Sequence, residues 1–313
     1  MKSRITEILG IKYPVFQGGM AWVADASLAS AVSEAGGLGI IAGMNSNGEQ
    51  LRAEIKKLRE KTDKPFGVNI MLMSPFVEEV ARVVVEEHVP VITTGAGNPL
   101  AYMKTWLAAG IKVIPVVASV AFAQMVAKRG ATAVVAEGGE SGGHIGDANT
   151  MPLVPQVADA VSIPVIAAGG IGDGRGMAAA FMLGAEGVQI GTRFLVAKEC
   201  TIHENYKQKV LKASDTGTMV SGRTFGQPVR ALKTPFAREY ARLEAAGATE
   251  DELNRFGTGA LRKAVKEGDE EGGSFLCGEI AGMVRKEQTC KEIIEEITSQ
   301  AEELLKGAAS LVI

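Results

Sequence analysis

Between Ala136 and Gly146 the chain reads Ala-Glu-Gly-Gly-Glu-Ser-Gly-Gly-His-Ile-Gly, five glycines around one imidazole. Glycine tolerates positive φ and lets a ligand come close to the backbone, so such a stretch can wrap a flat or phosphorylated group. His144 lies inside the wrap, and a histidine held in a tight loop can act as acid, base or polarising donor. Two more stretches offer backbone amides of the same kind. One runs from Ala167 through Ala168, Gly169, Gly170 and Ile171 to Gly176, and the other is Gln189-Ile-Gly191-Thr192-Arg-Phe.

Those loops need a frame, and the chain supplies one by repetition. Short apolar runs recur at Pro14–Phe16, Leu38–Ile41, Phe66–Ile70, Pro90–Thr93, Val113–Val117, Ala131–Ala136, Pro164–Ala167 and Gly187–Ile190. Helix-like segments lie between them, such as Ala24–Glu34, Glu49–Glu60, Pro75–Glu87 and Pro99–Ala109. Continuous rather than alternating apolar runs suit strands covered on both faces, as in a parallel sheet. Eight such units ending near residue 195 predict an α/β fold, a (β/α)8 TIM barrel, in preference to an open doubly wound sheet.

In such a barrel the ligand site forms at the C-terminal ends of the strands. The two later glycine stretches would then follow strands seven and eight, where barrels commonly grip a phosphate. Gly169–Gly176 does not fit G-x-G-x-x-G and has no acid placed for a ribose, so a dinucleotide fingerprint is excluded. A phosphate grip without that half points to a mononucleotide, with FMN the usual one.

After Phe194 the rhythm stops. Residues 1–198 read as the barrel, 199–280 as an inserted cap subdomain over its mouth, and 281–313 as a helix packing back on the barrel, with apolar spacing at Ile293, Ile294, Ile297 and Ala301. Lys198–Arg238 carries eight basic against three acidic residues, although the whole chain has a formal net charge of −3. That overall balance argues against a nucleic-acid binder. The 313 residues are 46% hydrophobic and 22% charged, an ordinary soluble composition. Cys200, Cys277 and Cys290 have neither disulfide nor metal spacing, so no metal site is expected. No signal peptide or membrane-spanning run is visible, and a cytoplasmic location is expected.

Five motifs together carry a resemblance over nearly the whole chain. They are Pro14-Val-Phe-Gln-Gly-Gly-Met-Ala-Trp-Val-Ala-Asp, Ala31-Val-Ser-Glu-Ala-Gly-Gly-Leu-Gly-Ile-Ile, Lys64-Pro-Phe-Gly-Val-Asn-Ile-Met, Thr93-Thr-Gly-Ala-Gly-Asn-Pro and the histidine loop. With them the chain resembles the FMN-dependent enoyl-acyl-carrier-protein reductases of type II, which share a barrel superfamily with the nitronate monooxygenases. Gln17-Gly-Gly-Met-Ala-Trp22 and Glu137 favour the reductase branch, since monooxygenases tend to show Gln-Ala-Pro-Met-Ala-Gly and Gln at these places. Ser141 departs from the family's usual Glu-Ala-Gly-Gly-His, where Ala stands.

The resemblance implies that Gly19, Met20 and Ala21 lie against the flavin ring, with Gly142 and Gly143 near it. Asn69 and Glu137 would contact its polar edge or ribityl chain. Ala168, Gly169, Gly170, Gln189, Gly191 and Thr192 would hold the phosphate end. It implies His144 as the catalytic residue, NADH or NADPH as reductant and an enoyl group on acyl carrier protein as substrate. The basic stretch 198–238 would dock that acidic carrier. A monovalent cation, bound by some members, and a homodimer are also compatible with the resemblance.

Overall fold

The barrel strands form where the chain supplies short runs that are apolar on both faces. In the computed structural model, which describes residues 1–44 and 46–311, the strands are β1 (Val15–Gln17), β2 (Gly39–Ala42), β3 (Phe66–Met71), β4 (Val91–Gly95), β5 (Lys112–Val117), β6 (Val134–Glu137), β7 (Gly143–His144), β8 (Val165–Ala168), β9 (Gly187–Ile190), β10 (Thr218–Ser221) and β11 (Val229–Leu232). Eight of them make one parallel sheet in the order β1-β9-β8-β6-β5-β4-β3-β2. A parallel bridge from Phe16 to Leu38 brings its two ends together, so the sheet is a nearly closed α/β barrel.

Strand alternation sorts side chains into two cores. Val135, Ile166, Phe16, Ile40 and Ile114 fill the barrel interior together with Ile5 and Leu9 of helix Arg4–Leu9, which plugs its lower end. Val134, Ala136, Val165 and Ala167 point outward into the core shared with the surrounding helices. Period-two alternation then makes Glu137 the next inward side chain above Val135. By the same count Asn69, Thr93 and Gln189 face inward near the rim.

Helices begin where a short polar side chain can cap them. Asp25 accepts hydrogen bonds from the amides of Ser27 and Leu28 at 3.0 Å, so the first outer helix runs over Ala26–Glu34 rather than from Ala24. Asn47 does the same for Gly48–Arg59. The last barrel strand, β9, leads directly into only the short helix Thr192–Leu195. Its outer helix is deferred to Cys290–Gly307, which packs against Gly174–Met182 on one side and Ala26–Glu34 on the other. That helix therefore fills the eighth place in the outer ring, and residues 196–289 are an insertion ahead of it.

The insertion carries more order than its sequence rhythm suggests. It contains helices Glu204–Leu211, Pro235–Ala245 and Glu250–Gly257 and an antiparallel β10–β11 pair. Its Tyr206, Val210, Phe275 and Cys277 are buried in the same core as the barrel's outer face. Among the described residues no helix is long and apolar enough to cross a membrane.

Barrel closure depends on one side chain. Leu38 pairs by its backbone with Val15 and Gln17, but there the β1–β2 ladder stops, while Gly18 N continues the pairing with β9 by donating to Ile190 O at 2.9 Å. Gln17, fully buried, replaces the missing strand: its Oε1 accepts from Ile40 N and its Nε2 donates to Ile40 O, both at 3.2 Å. Gln17→Leu is expected to leave both backbone groups of Ile40 unpaired, at about 1–3 kcal/mol each. Gln17→Glu, which keeps an acceptor for the amide, is expected to lose less if the acid is protonated. Urea unfolding measures the difference, and an unchanged midpoint in the Leu variant would refute the closure role.

Candidate active site at the barrel rim

The strand ends enclose a cavity of about 430 Å3. Gly19, Met20, Ala21, Asn69, Glu137, Gly142, Gly143, His144, Gln189, Gly191 and Thr192 line it. A smaller cavity of about 110 Å3 continues past Glu137 and Gly142 and adds Ala168, Gly169 and Gly170 to the lining. Every site residue named from the sequence thus faces one of two adjoining spaces. The larger is also lined by the apolar side chains of Met20, Met44, Met71, Phe122, Leu261 and Leu276.

Close packing makes the rim. Asn69 donates from Nδ2 to Thr93 Oγ1 at 2.9 Å, which orients its amide across the barrel top. The first rim loop lies on this asparagine so tightly that a Cβ on Gly19 would come within 2.2 Å of Asn69 Cβ. Gly169 and Gly170 have φ of +90° and +71°, a region that side chains disfavour. Two residues with side chains share positive φ at the rim, Trp22 at +64° and Ala96 at +50°. Such conformations cost free energy and concentrate at ligand sites.

The histidine loop is held from outside the barrel. Its residues Gly143 and His144 form β7 and pair antiparallel with β11, Val229 opposite His144 and Arg230 opposite Gly143. Arg230 donates from Nε and Nη2 to Gly139 O at 3.2 and 3.0 Å and from Nη1 to Thr218 Oγ1 at 3.1 Å. The same guanidinium meets Glu279 at 2.9 Å. On the other side, a Cβ on Gly142 would overlap the backbone of Cys277 at 2.5 Å. The loop therefore runs between β11 and the segment around Cys277.

The polar groups differ in what they can do. His144 opens onto the cavity, yet surrounding protein removes enough water to lower its pKa below the ordinary imidazole value. It is thus neutral near pH 7 and presents one N–H donor. Burial pushes the Glu137 carboxyl up to about 7. The neighbouring Ser141 hydroxyl pulls it back in part, although it makes no hydrogen bond of good geometry. Tyr206 donates to Leu276 O at 2.7 Å, and burial raises its pKa further, so its proton is committed. The Cys277 thiol is pushed up to about 12 by burial, which removes thiolate chemistry at neutral pH. His144 is left with a free donor at the cavity.

The smaller cavity has the character of an anion site. Among the described residues the amides of Gly170 and Gly191 donate to no other group. Thr192 Oγ1 accepts from Gly278 N at 2.8 Å, which leaves its own proton free. A Cβ on Gly191 would meet only the flexible Met20 side chain, with Sδ at 3.5 Å, so its backbone is open to a ligand. Such donors fit a phosphate, and the larger space beside Gly19, Gly142 and Gly143 fits a flat ring system.

Several residues of the site escaped the sequence reading. Gln17, Tyr206, Arg230, Leu261, Leu276 and Cys277 help to build it. Only Gln17, inside a quoted motif, had a local signal. The basic stretch 198–238 needs correction as one continuous docking surface. Lys207 is buried and its Nζ donates to Ala197 O at 2.9 Å. Lys209 pairs with Glu270 at 2.8 Å, and Arg230 is spent on the histidine loop. Lys212, Lys233 and Arg238 stay exposed. Among the described residues no group of three His, Cys, Asp or Glu is placed to hold a metal ion.

Comparison with known proteins adds the following. The sequence model of the family described as nitronate monooxygenase matches residues 2–300. The solved structure of FabK from Thermotoga maritima is 50% identical, covers 100% of both chains and superposes with a TM-score of 0.98. A Mycobacterium tuberculosis protein named (3aS,4S,5R,7aS)-5-hydroxy-7a-methyl-1-oxo-octahydro-1H-indene-4-carboxyl-CoA dehydrogenase is 37% identical over 100% of this chain and 99% of its own. A probable nitronate monooxygenase of Staphylococcus aureus is 34% identical over 86% of this chain and 89% of its own.

The Glu137 carboxyl makes a pH prediction. Its ordinary value is 4.5 and its folded value about 7. Between these the folded chain keeps a proton that the unfolded chain has released, so this group weakens folding as pH rises through that window. The stability advantage of Glu137→Gln over the wild type is expected to grow from about pH 5 to about pH 7 and to level off above. Urea unfolding of ligand-free protein across that range checks this, and a pH-independent difference would refute the shift.

Proposed function

The chain belongs to the nitronate monooxygenase family, whose members include FMN-dependent flavoproteins, and we propose that it is an FMN-dependent enoyl-thioester reductase. Its substrate is a trans-2-enoyl group on acyl carrier protein, and NADH or NADPH is the reductant. The observation that carries this reading is that the apolar side chains of Met44, Met71, Leu261 and Leu276 line the same cavity as His144. An acyl chain fills such a lining, whereas a small nitronate leaves most of it unused. The full-length likeness to FabK, an enoyl-acyl-carrier-protein reductase, supports the same choice. So does the dehydrogenase relative, whose name specifies a carboxyl-CoA thioester.

FMN, when bound, supplies the hydride chemistry. Gly170, Gly191 and Thr192 would hold its phosphate, and Gly19, Met20, Gly142 and Gly143 would flank its ring. The protein's own task is charge. Reduction at the β-carbon of an enoyl thioester drives negative charge onto the thioester oxygen, and a donor aimed there stabilises the transition state. His144 is that donor. Because its imidazole is neutral near pH 7, it acts first by polarising the oxygen through N–H. The methionines of the lining adapt to chains of different length, and the insertion residues Leu261 and Leu276 help to keep water away.

A second reading, oxygen-dependent nitronate oxidation, is favoured by the family match and by the Staphylococcus aureus relative. Anaerobic mixing separates the two. The reductase is bleached by NADH or NADPH and recolours on addition of an enoyl thioester. A protein that ignores both nucleotides but consumes oxygen with a nitronate is a monooxygenase.

For His144→Ala, flavin retention and bleaching by NAD(P)H are expected to stay near wild type. Recolouring by the enoyl thioester is expected to slow by about 10²–10⁴-fold, the range for a lost donor or acid. Stopped-flow measurement of both half-reactions tests this. Partial recovery in His144→Gln, which restores an N–H without proton transfer, marks polarisation. Unchanged recolouring in the Ala variant refutes the assignment.

Carrier docking is assigned to Lys212, Lys233 and Arg238. Reversing all three to Glu is expected to raise KM for a carrier-protein substrate several-fold and to leave a short coenzyme A substrate nearly unaffected, with the gap shrinking in salt. Equal effects on both substrates would move docking elsewhere.

A further inference from the structure

Beside the histidine loop runs a short segment of the insertion, residues 275–279, that lies along β11. Phe275 O accepts from Leu232 N at 2.8 Å, and Leu276 forms an antiparallel bridge with Ala231. Because β10 occupies the other edge of β11, Leu276 shares the edge that carries β7. The two pieces meet where Gly142 lies against Cys277, so closely that a Cβ there would come within 2.5 Å of the Cys277 carbonyl carbon. Further along, Gly278 N donates to Thr192 Oγ1 at 2.8 Å and Glu279 N to Glu140 O at 3.0 Å. One strip of backbone therefore touches both the histidine loop and the anion site.

Tyr206 holds the middle of that strip. Its hydroxyl donates to Leu276 O at 2.7 Å, and among the described residues no backbone amide donates to that carbonyl. Its ring meets Phe275 edge-on, with centroids 4.8 Å apart. The helix that carries it, Glu204–Leu211, is itself tied to the barrel, because Lys207 Nζ donates to Ala197 O at 2.9 Å. Tyr206 is buried, and burial raises its pKa, so the hydroxyl keeps its proton across the neutral range.

We propose that Tyr206 is a positioning residue for enoyl-thioester reduction: by holding Leu276 O it fixes the strip against which Gly142 packs, and so sets where His144 stands. The inference rests on the reading of His144 as the donor to the thioester oxygen. Tyr206 lines the larger cavity, yet its one proton is committed to Leu276 O, so it acts through the loop rather than on the substrate. A donor stabilises developing charge only when it is aimed at it. A glycine-rich loop has little stiffness of its own, so the aim has to be supplied from outside.

The test is a double-mutant cycle between Tyr206→Phe and His144→Ala on the full-length, FMN-loaded protein. Phe removes one oxygen and keeps the ring, and thermal unfolding with the flavin spectrum confirms a folded holoenzyme. In the wild-type background, Tyr206→Phe is expected to leave bleaching by NAD(P)H within about 2-fold and to slow recolouring by the enoyl thioester on the order of 10-fold, the effect of a slightly misplaced group. In the His144→Ala background the same change is expected to slow recolouring by no more than about 2-fold, because residues acting as one unit are not additive. Amide hydrogen exchange gives a reading free of catalysis: peptides covering 138–146 exchange faster in Tyr206→Phe, and those covering β2–β5 are unchanged. Equal slowing in both backgrounds would overturn the proposal by giving Tyr206 a task apart from His144. Equal slowing of bleaching and recolouring would overturn it by reducing the hydroxyl to general stability. Unchanged recolouring, or unchanged exchange in the loop, would overturn it as well. A wild-type protein that NAD(P)H bleaches but the enoyl thioester does not recolour would instead bring down the enoyl-reductase reading, and this inference with it.

Discussion

The contact between Gln17 and Ile40 underlies the site, because it lets the barrel close where the β1–β2 ladder stops. A parallel barrel has no free edge only if each backbone group of its last pair finds a partner. Here β1 is three residues long, too short to satisfy β2 by backbone alone. A side-chain amide presents an N–H donor and a C=O acceptor as a peptide group does, so it can stand in for a strand residue. With that substitution made, the backbone after Gln17 is released to turn over the barrel mouth. Gly18, Gly19 and Met20 reach the cavity for this reason.

The electrostatics of the cavity follow from its position above an apolar interior. Glu137 and His144 are displaced in opposite directions, the acid upward and the base downward, and burial is the main cause for both. Desolvation disfavours charge whichever its sign. The result is a mouth in which charge is disfavoured on both groups, with Glu137 titrating close to neutrality. The anion-binding capacity is kept apart, in the smaller cavity, where it comes from backbone amides and hydroxyls rather than lysine or arginine.

The insertion between the last barrel strand and the last outer helix ties the chemistry to the fold. His144 stands on a two-residue strand whose partner, β11, lies about 85 residues further along the chain. Arg230 adds side-chain bonds to Gly139 at the start of the same loop. A glycine-rich loop has high conformational entropy when free, and ordering it is costly. Strand pairing on one side and the Cys277 backbone on the other supply that order. The insertion is thus part of the site, contributing both lining residues and the anchor of the histidine loop.

Much of this was legible in the chain itself. The eight apolar runs fall on the eight barrel strands because strands covered on both faces need continuous apolar residues, and that demand is local. The glycine stretches, with His144 inside one, were legible because close backbone approach and positive φ restrict residue type, whereas Asn69, Glu137 and the other rim residues were named through the family resemblance. Long-range pairings leave no such local mark. Cys290–Gly307 reads as an amphipathic helix, but only packing against Gly174–Met182 and Ala26–Glu34 makes it the eighth of the ring. Lys207 reads as a surface charge until its ammonium is seen on Ala197 O. The short strands β10 and β11 have too few residues for periodicity to announce them, and Arg230 looks like any basic residue until Gly139 meets it. What the sequence determined by itself was the barrel and the kinds of group at its rim, since these follow from burial and backbone conformation. Which distant side chains hold that rim in place was decided by tertiary structure, because hydrogen bonds between residues far apart in the chain depend on the folded positions of both partners.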